Sequence, residues 1–296
     1  MHVGVLIGRV RVEEKLLFKA LEERGVNYEP IYDDELQFGS ANIDEWSRFD
    51  VILERSISHS RALTSLGFFN KLGIPTVNEY EVARICGDKI ETSVLLEEAD
   101  IPQPEFMVAY TPDSALEAIE TMGYPVVLKP AIGSWGRLQA KITSRNMAES
   151  ILEHKKTLGG VQHAIFYIQE YIEKPGRDLR TFVIDGEPIC AIRRESDHWI
   201  TNTSRGGHAD NHPMSDELIE LSRNTSDAIG GGVIAVDVFE SDRGLLVNEV
   251  NYTMEFRNSI EPTGVDIPAR IIDYVIAVGE GATAAEQEEA ELEAVC

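Results

Sequence analysis

Across roughly its first 85 residues the chain alternates between two apolar periods. HVGVLIG, near the start, is a continuous apolar run of the kind a buried strand requires, and EEKLLFKALEERG repeats its apolar positions every three to four residues. The second pattern predicts an amphipathic helix closed by Gly25. VNYEPIY, FDVILERS and IPTVN return to the strand pattern, and RALTSLGFFNKLG to the helical one. Strand–helix alternation predicts a parallel sheet covered on both faces. Gly4 and Gly8 do not form the G-x-G-x-x-G turn that cradles a dinucleotide. Residues 1–85 therefore read as a scaffold domain that supplies some substrate contacts.

From Asp88 the pattern changes. A helix to about Ala99 and a second over PDSALEAIETMG precede the strand VVLKP, a loop holding Gly133 and Gly136, and the strand LQAKI. A glycine loop between strands can lie over phosphates because backbone N–H groups approach closely, although a plain hairpin turn has the same appearance. Lys129 sharpens the phosphate alternative, since a lysine in an apolar strand needs an anionic partner. After the helix AESILEHKKTLGG come the strands AIFYIQEYI, KPGRDLRTFVI and EPICAIRRES, the polar loop HWITNTSRGGHAD and the helix SDELIELSRNTSDAIGGG. Expected domain limits are 86–165 for a central unit, 166–280 for a C-terminal unit, and 281–296 for an acidic, frayed or disordered tail.

VIAVDVF and LLVNEVN, separated by a polar turn at Asp242, Arg243 and Gly244, predict a β-hairpin. Glu249 and Asn251 share one face of the second strand. A three-residue turn places Asp237 opposite Glu249, whereas a four-residue turn places Asn248 there. In the first register Asp237, Glu249 and Asn251 make a patch of hard oxygen donors, which suits Mg²⁺; the alternative is an ordinary polar sheet face.

Composition narrows the partners. Asp and Glu number 51 against 27 Lys and Arg, a formal net charge of −24, which disfavours nucleic acid and anionic membrane and reads as adaptation to high salt. Cys86, Cys190 and Cys296 lack metal-ligand spacing, and no window has the ~20 apolar residues of a membrane span, so a cytoplasmic location is expected. In so acidic a chain, the arginines Arg177, Arg180, Arg193, Arg194 and Arg205 point to carboxylate or phosphate recognition, with salt bridges to surface acids as the alternative.

Lysine, glycine loop, QEYI strand and Asp/Glu/Asn hairpin follow one another in the order of an ATP-grasp ligase. More closely, DKIETS (88–93), KPAIGSWGRL (129–138), QEYIEKPGRDLR (169–180), HWITNTSRGG (198–207) and NEVNYTMEFRNS (248–259) resemble the LysX/ArgX ligases, relatives of RimK-type glutamate ligases. The resemblance implies an α/β (α+β) ATP-grasp fold behind an N-terminal parallel-sheet pre-ATP-grasp domain. It implies that Lys89 and Lys129 hold nucleotide phosphates beneath a loop of Gly133, Ser134, Trp135, Gly136, Arg137, Leu138 and Gln139. Gln169, Glu170, Tyr171 and Ile172 would meet adenine and ribose, Asp178 and Arg180 would continue that wall, and Asn202 would also contact the nucleotide. Asp237, Glu249 and Asn251 would bind Mg²⁺; Arg194, with Asn202 and Lys129, would act in catalysis. Arg194, Thr203, Ser204, Thr253, Met254, Glu255, Phe256, Arg257, Asn258 and Ser259 would line the amino-acid site, with the choice of Arg194 over Arg193 left open by their adjacency.

The implied reaction joins the amino group of 2-aminoadipate or glutamate to the C-terminal glutamate side chain of the carrier protein LysW, through an acyl phosphate. Asn258-Ser259 after the Glu-Phe pair resembles the lysine-branch ligases and favours 2-aminoadipate or dual use. Relatives imply a homodimer or homotetramer. An acidic enzyme must dock an acidic carrier, so either a basic patch of Arg193, Arg194, Arg205 and Arg257 at the site's mouth or a strong salt requirement is expected. The rival readings are a RimK-like ligase that adds glutamate to another protein or cofactor, and a non-catalytic nucleotide-binding regulator.

Overall fold

Three sheets organise the chain, and the first is the parallel one that the alternating periods predict. The computed structural model describes the backbone of residues 1–133, 138–160, 164–201 and 208–295, with side chains as far as residue 281. In the first sheet β1 (His2–Ile7) lies between β2 (Asn27–Tyr32) and β3 (Val51–Arg55), and β4 (Thr76–Val77) extends the order to β2-β1-β3-β4, all pairs parallel. Helix α1 (Val12–Glu23) covers one face and α2 (His59–Lys71) follows β3. Gly25, at φ +66, takes the left-handed backbone that ends α1.

Helices α3 (Tyr80–Gly87) and α4 (Lys89–Glu98) lead to the second sheet, order β5-β8-β6-β7. Its strands are β5 (Phe106–Ala109), β6 (Val126–Lys129), β7 (Ala140–Ile142) and β8 (Phe166–Glu170), so this sheet reaches beyond residue 165. Helices α5 (Pro112–Met122) and α6 (Arg145–Leu158) pack on it through Ala115, Ile119, Ala148 and Leu152.

The third sheet, order β11-β10-β9-β12-β13, is antiparallel throughout. It contains β9 (Arg177–Ile184), β10 (Glu187–Glu195), β11 (His208–His212), β12 (Val233–Ser241) and β13 (Gly244–Asn251). The polar segment His208–His212 reads as loop in sequence but pairs along β10, since an edge strand can be polar on both faces. Helix α7 (Asp216–Ile229) packs Leu218, Leu221 and Ile229 on one face.

The opposite face shares a core with the first sheet, in which Val3, Val5 and Leu17 meet Phe182, Ile192, Met254, Phe256 and Ile271. Asn78 joins the two units by polar bonds, donating to the carbonyls of Val233 and Tyr252 at 2.8 Å each. After α8 (Ile260–Thr263), helix α9 spans Ile267–Val295 and takes in the acidic segment that reads as a frayed tail.

Candidate active site

The register of the third sheet assembles the site. Arg194 on β10 pairs with Asp178 on β9, Arg180 on β9 pairs with Asp237 on β12, and Asp237 pairs with Glu249 on β13. Side chains two apart share a face, so charges from four adjacent strands converge. The hairpin reaches this arrangement by an unforeseen route. Its turn has two residues, Asp242 and Arg243, a register that by itself would set Asp237 opposite Asn248. A bulge beside Asp237 removes Asn248 from the pairing and restores Glu249. Freed in this way, Asn248 Oδ1 accepts a 2.8 Å hydrogen bond from Lys129 Nζ on the facing sheet.

The same alternation separates the adjacent arginines. Arg194 is 2% exposed and donates from Nε to Asp178 Oδ1 at 2.7 Å, with its Nη2 3.2 Å from Asp237 Oδ2. Arg193 faces the other way, toward Glu195 and Asp210. Arg180 grips Asp237 with two parallel bonds of 2.6 and 2.8 Å. Burial opposes the charge on Asp237, but Arg180 and Arg194 outweigh it and hold the carboxylate below its ordinary range. For Arg194, burial is likewise outweighed, here by Asp237 and Asp178, and its pKa rises.

The lysines approach from the second unit. Lys89, first residue of α4, donates to the Gly133 carbonyl at 2.7 Å and to Glu249 Oε1 at 3.1 Å. Gly133 has φ +156, and a Cβ there would crowd the Pro130 ring at 3.1 Å. Lys129 is 3% exposed, and burial pushes its ammonium down to about 7 against the pull of Glu249. Lys174 donates to Thr201 Oγ1 at 2.9 Å and lies 3.6 Å from Asp178; burial lowers its pKa too. Five buried or half-buried cations (Lys89, Lys129, Lys174, Arg180, Arg194) thus face three carboxylates (Asp178, Asp237, Glu249). Such an imbalance suits a polyphosphate.

Two adjoining cavities share Glu249. One, of about 50 Å³, lies between the second and third sheets. Lys129, Gln139, Gln169 to Ile172, Lys174, Asp178 and Asn248 line it, with apolar contact from Val127 and Phe239. Lys141 sits 3.5 Å over the Tyr171 ring at its edge. The other cavity, of about 150 Å³, is bordered by Arg180, Arg194, Asp237, Glu249 and Asn251 on one side. Thr253, Met254 and Glu255 complete that wall, and Arg11, Ser56, Ile57 and His59 of the N-terminal unit form the opposite one.

Several expected site residues are placed elsewhere. Arg180 lines the larger cavity with Asp237, whereas it was expected to continue the nucleotide wall with Asp178. Phe256 is buried in the core, Arg257 and Asn258 are exposed, and Ser259 is buried at the N-cap of α8; none lines either cavity. Leu138 is exposed at φ +59 beside the glycine loop. Ser134, Trp135, Gly136, Arg137, Asn202, Thr203, Ser204 and Arg205 lie outside the described residues. Among the described residues the basic docking patch does not form as expected, because Arg194 is buried, Arg193 is paired with acids, and Arg257 lies 3.8 Å from Glu13. Lys174 and Thr201 were missed, and Asn248 was named only as the alternative neighbour of Asp237. For Lys174 the signal was present: nine lysines in so acidic a chain make each one notable.

Comparisons with known proteins agree with this architecture. Residues 3–85 match the LysX preATP-grasp domain and residues 86–275 the RimK-like ATP-grasp domain. The alpha-aminoadipate–LysW ligase LysX of Saccharolobus solfataricus is 34% identical over 265 residues, 89% of this chain and 96% of that protein. The glutamate–LysW ligase ArgX of Sulfolobus acidocaldarius is also 34% identical, over 93% of this chain and 98% of its own length. Among solved structures, a RimK domain ATP-grasp protein from Sphaerobacter thermophilus superposes with a TM-score of 0.79 at 27% identity, covering 93% of this chain and 99% of that one. Two sheets closing on a cation-rich cleft, and sequence similarity along both domains, lead to one conclusion: the chain belongs to the LysX/ArgX family of ATP-grasp ligases.

Proposed function

We propose that the chain uses ATP to join the amino group of 2-aminoadipate or glutamate to the C-terminal glutamate side chain of a LysW-type carrier protein. The observation that carries this reading is the excess of buried cations at the junction of the two cavities. The smaller cavity takes the nucleotide, with Gln169 to Ile172 along its edge and Lys129 and Lys174 reaching toward the phosphates. The larger takes the amino acid and the carrier's terminal carboxylate. That carboxylate attacks the terminal phosphorus of ATP, and the amine then displaces phosphate from the resulting acyl phosphate. Lys89, Lys129 and Arg194 neutralise charge that builds on the transferred group, which is the main catalytic requirement of phosphoryl transfer. No protein nucleophile is needed.

Asp237, Glu249 and Asn251 are the residues that would hold Mg²⁺. The carboxylates of Asp237 and Glu249, paired in register, are hard oxygen donors, and Asn251 donates from Nδ2 to Asp237 Oδ2 at 3.5 Å, which leaves its Oδ1 as a third oxygen. Bound there, the ion would screen phosphate charge and orient the transferred group. The two amino acids differ by one methylene, worth about 1 to 3 kcal/mol in a pocket, so one enzyme can use both.

Mass measurement of the carrier after incubation with enzyme, ATP, Mg²⁺ and equimolar glutamate and 2-aminoadipate tests the reading directly. A mass gain of one amino-acid residue is expected. An unmodified carrier, with glutamate transferred instead to another acceptor, would point to the RimK-like alternative.

Lys129 offers a second test. Burial keeps much of it neutral just above its pKa of about 7, and phosphate would restore its charge. ATP binding at slightly alkaline pH should therefore take up on the order of half a proton. Calorimetry in buffers of different ionisation enthalpy reads that uptake. It should vanish in Lys129→Met, and an unchanged uptake there would assign the proton elsewhere.

A further inference from the structure

One side chain of the larger cavity has no role in the assignments above: His59, the first residue of α2. Its Nδ1 is 2.9 Å from the Tyr252 hydroxyl, and the rings meet edge-on with centroids 5.8 Å apart. Among the described residues Nε2 has no hydrogen-bond partner. The ring also rests directly against Gly87, where a Cβ would fall 1.8 Å from His59 Cε1. Only glycine permits that approach.

Behind the ring lies Glu54, buried, with its carboxyl pushed up to about 7 by burial. Its Oε1 accepts from the Ser56 N–H at 2.5 Å and its Oε2 from Thr253 Oγ1 at 2.8 Å. In the tautomer that donates from Nδ1–H to the Tyr252 hydroxyl, the imidazole lone pair stands on Nε2, the nitrogen without a hydrogen-bond partner among the described residues.

The charged groups facing the ring are Asp88 and Lys89 at the head of α4. Burial lowers the His59 pKa, with Lys89 acting in the same direction and Asp88 opposing, so the ring is neutral near pH 7. The other titratable groups around the cavity are engaged or inert. Asp237 is held by two arginines, Glu249 by Lys89, and Glu255 lies 3.7 Å from Arg11. Burial pushes the Cys86 thiol and the Tyr252 hydroxyl far up.

We propose that His59 is the base that accepts a proton from the ammonium group of the incoming amino acid, a role that rests on the ligase reading above. Nε2 takes one proton, and the freed nitrogen lone pair attacks the acyl carbon. The carbon–oxygen bond to phosphate breaks, and the second proton lost by the nitrogen leaves with the phosphate. The amide keeps the third.

Hydroxylamine separates this step from the one before it. It is largely unprotonated near neutral pH, so it traps the acyl phosphate as a hydroxamate without needing a base. With wild-type enzyme, carrier, ATP and Mg²⁺, both hydroxamate and amide should form. His59→Gln should lower amide formation roughly a hundredfold or more near neutral pH, while hydroxamate yield stays within about twofold. The amide deficit should shrink by about tenfold for each pH unit as free amine becomes available. Gly87→Ala, which displaces the ring and leaves its chemistry intact, should show the same selective loss. Amide formation within about twofold of wild type in either variant overturns the proposal, as does a parallel loss of hydroxamate, which would mark a purely structural role. A wild-type enzyme that makes neither product on the carrier sinks the ligase reading and this step together.

Discussion

Replacing Glu249 by alanine should abolish ligation, by at least about a thousandfold in kcat, while the protein remains folded. Glu249 stands where the two cavities meet, and it is the only carboxylate that lines both among the described residues. Its side chain is 17% exposed, and its buried partner Lys89 keeps a second bond, to the Gly133 carbonyl, so truncation removes a counter-ion without leaving that ammonium unbonded. The stability loss should be about 1 kcal/mol or less. Far-ultraviolet circular dichroism and thermal melting check the fold, and carrier mass checks the activity. Ligation that persists in Glu249→Ala would remove the metal assignment for the Asp237–Glu249–Asn251 face.

Arg194→Met should fail in both respects. Arg194 bridges Asp178 and Asp237, each 3% exposed, and its removal leaves two buried carboxylates short of a partner. Breaking a buried pair from one side costs about 3 to 5 kcal/mol. Arg180 still holds Asp237 and Lys174 remains near Asp178, which places the loss near the lower end. A fall in Tm of roughly 5 to 10 °C is expected in a chain of this size, with ligation lost as well. A melting temperature equal to wild type would show that the arginine is not the keystone of this charge cluster.

Acid pH tests the same cluster in the intact protein. The folded pKa of Asp237 lies below its ordinary 3.8, at about 2. Its contribution to stability is therefore complete above about pH 4 and fades as pH falls through that window, because the unfolded chain takes up the proton first.

The arrangement of these groups explains a tension in the composition. In a chain with formal net charge −24 and 27 Lys and Arg, five of these cations stand inside, against the three carboxylates of the site. Of the arginines expected at the site's mouth, Arg193 is paired with Glu195 and Asp210, and Arg194 is not at the surface. An acidic carrier would meet a surface on which salt screening, more than a basic patch, removes the repulsion.

Much of this was legible in one dimension. Local periods are set by neighbouring residues, so the strand and helix alternation of residues 1–85 and the hairpin around Asp242 and Arg243 could be read directly. Lys129 in an apolar strand announced an anionic ligand because burying an ammonium group alone is costly. The motif blocks added the order of parts. What they could not supply was register. Turn length and bulge position decide whether Asp237 meets Asn248 or Glu249, and a bulge leaves no periodic trace in sequence. Likewise, the choice between Arg193 and Arg194 depended on which face of β10 turns inward.

The contribution of the N-terminal unit was the least visible. Arg11, Ser56 and His59 are separated from Thr253 by about two hundred residues of sequence, and none sits in a pattern that distinguishes it from a surface residue. They reach the cavity because Val3, Val5 and Leu17 share a core with Phe182 and Met254, and because Asn78 ties β4's end to Val233 and Tyr252. The sequence alone therefore determined the elements, the family and most of the charged groups, since these depend on local pattern and residue type. Tertiary structure alone decided which side chains meet, since burial and strand register bring together residues whose distance along the chain carries no information about their distance in space.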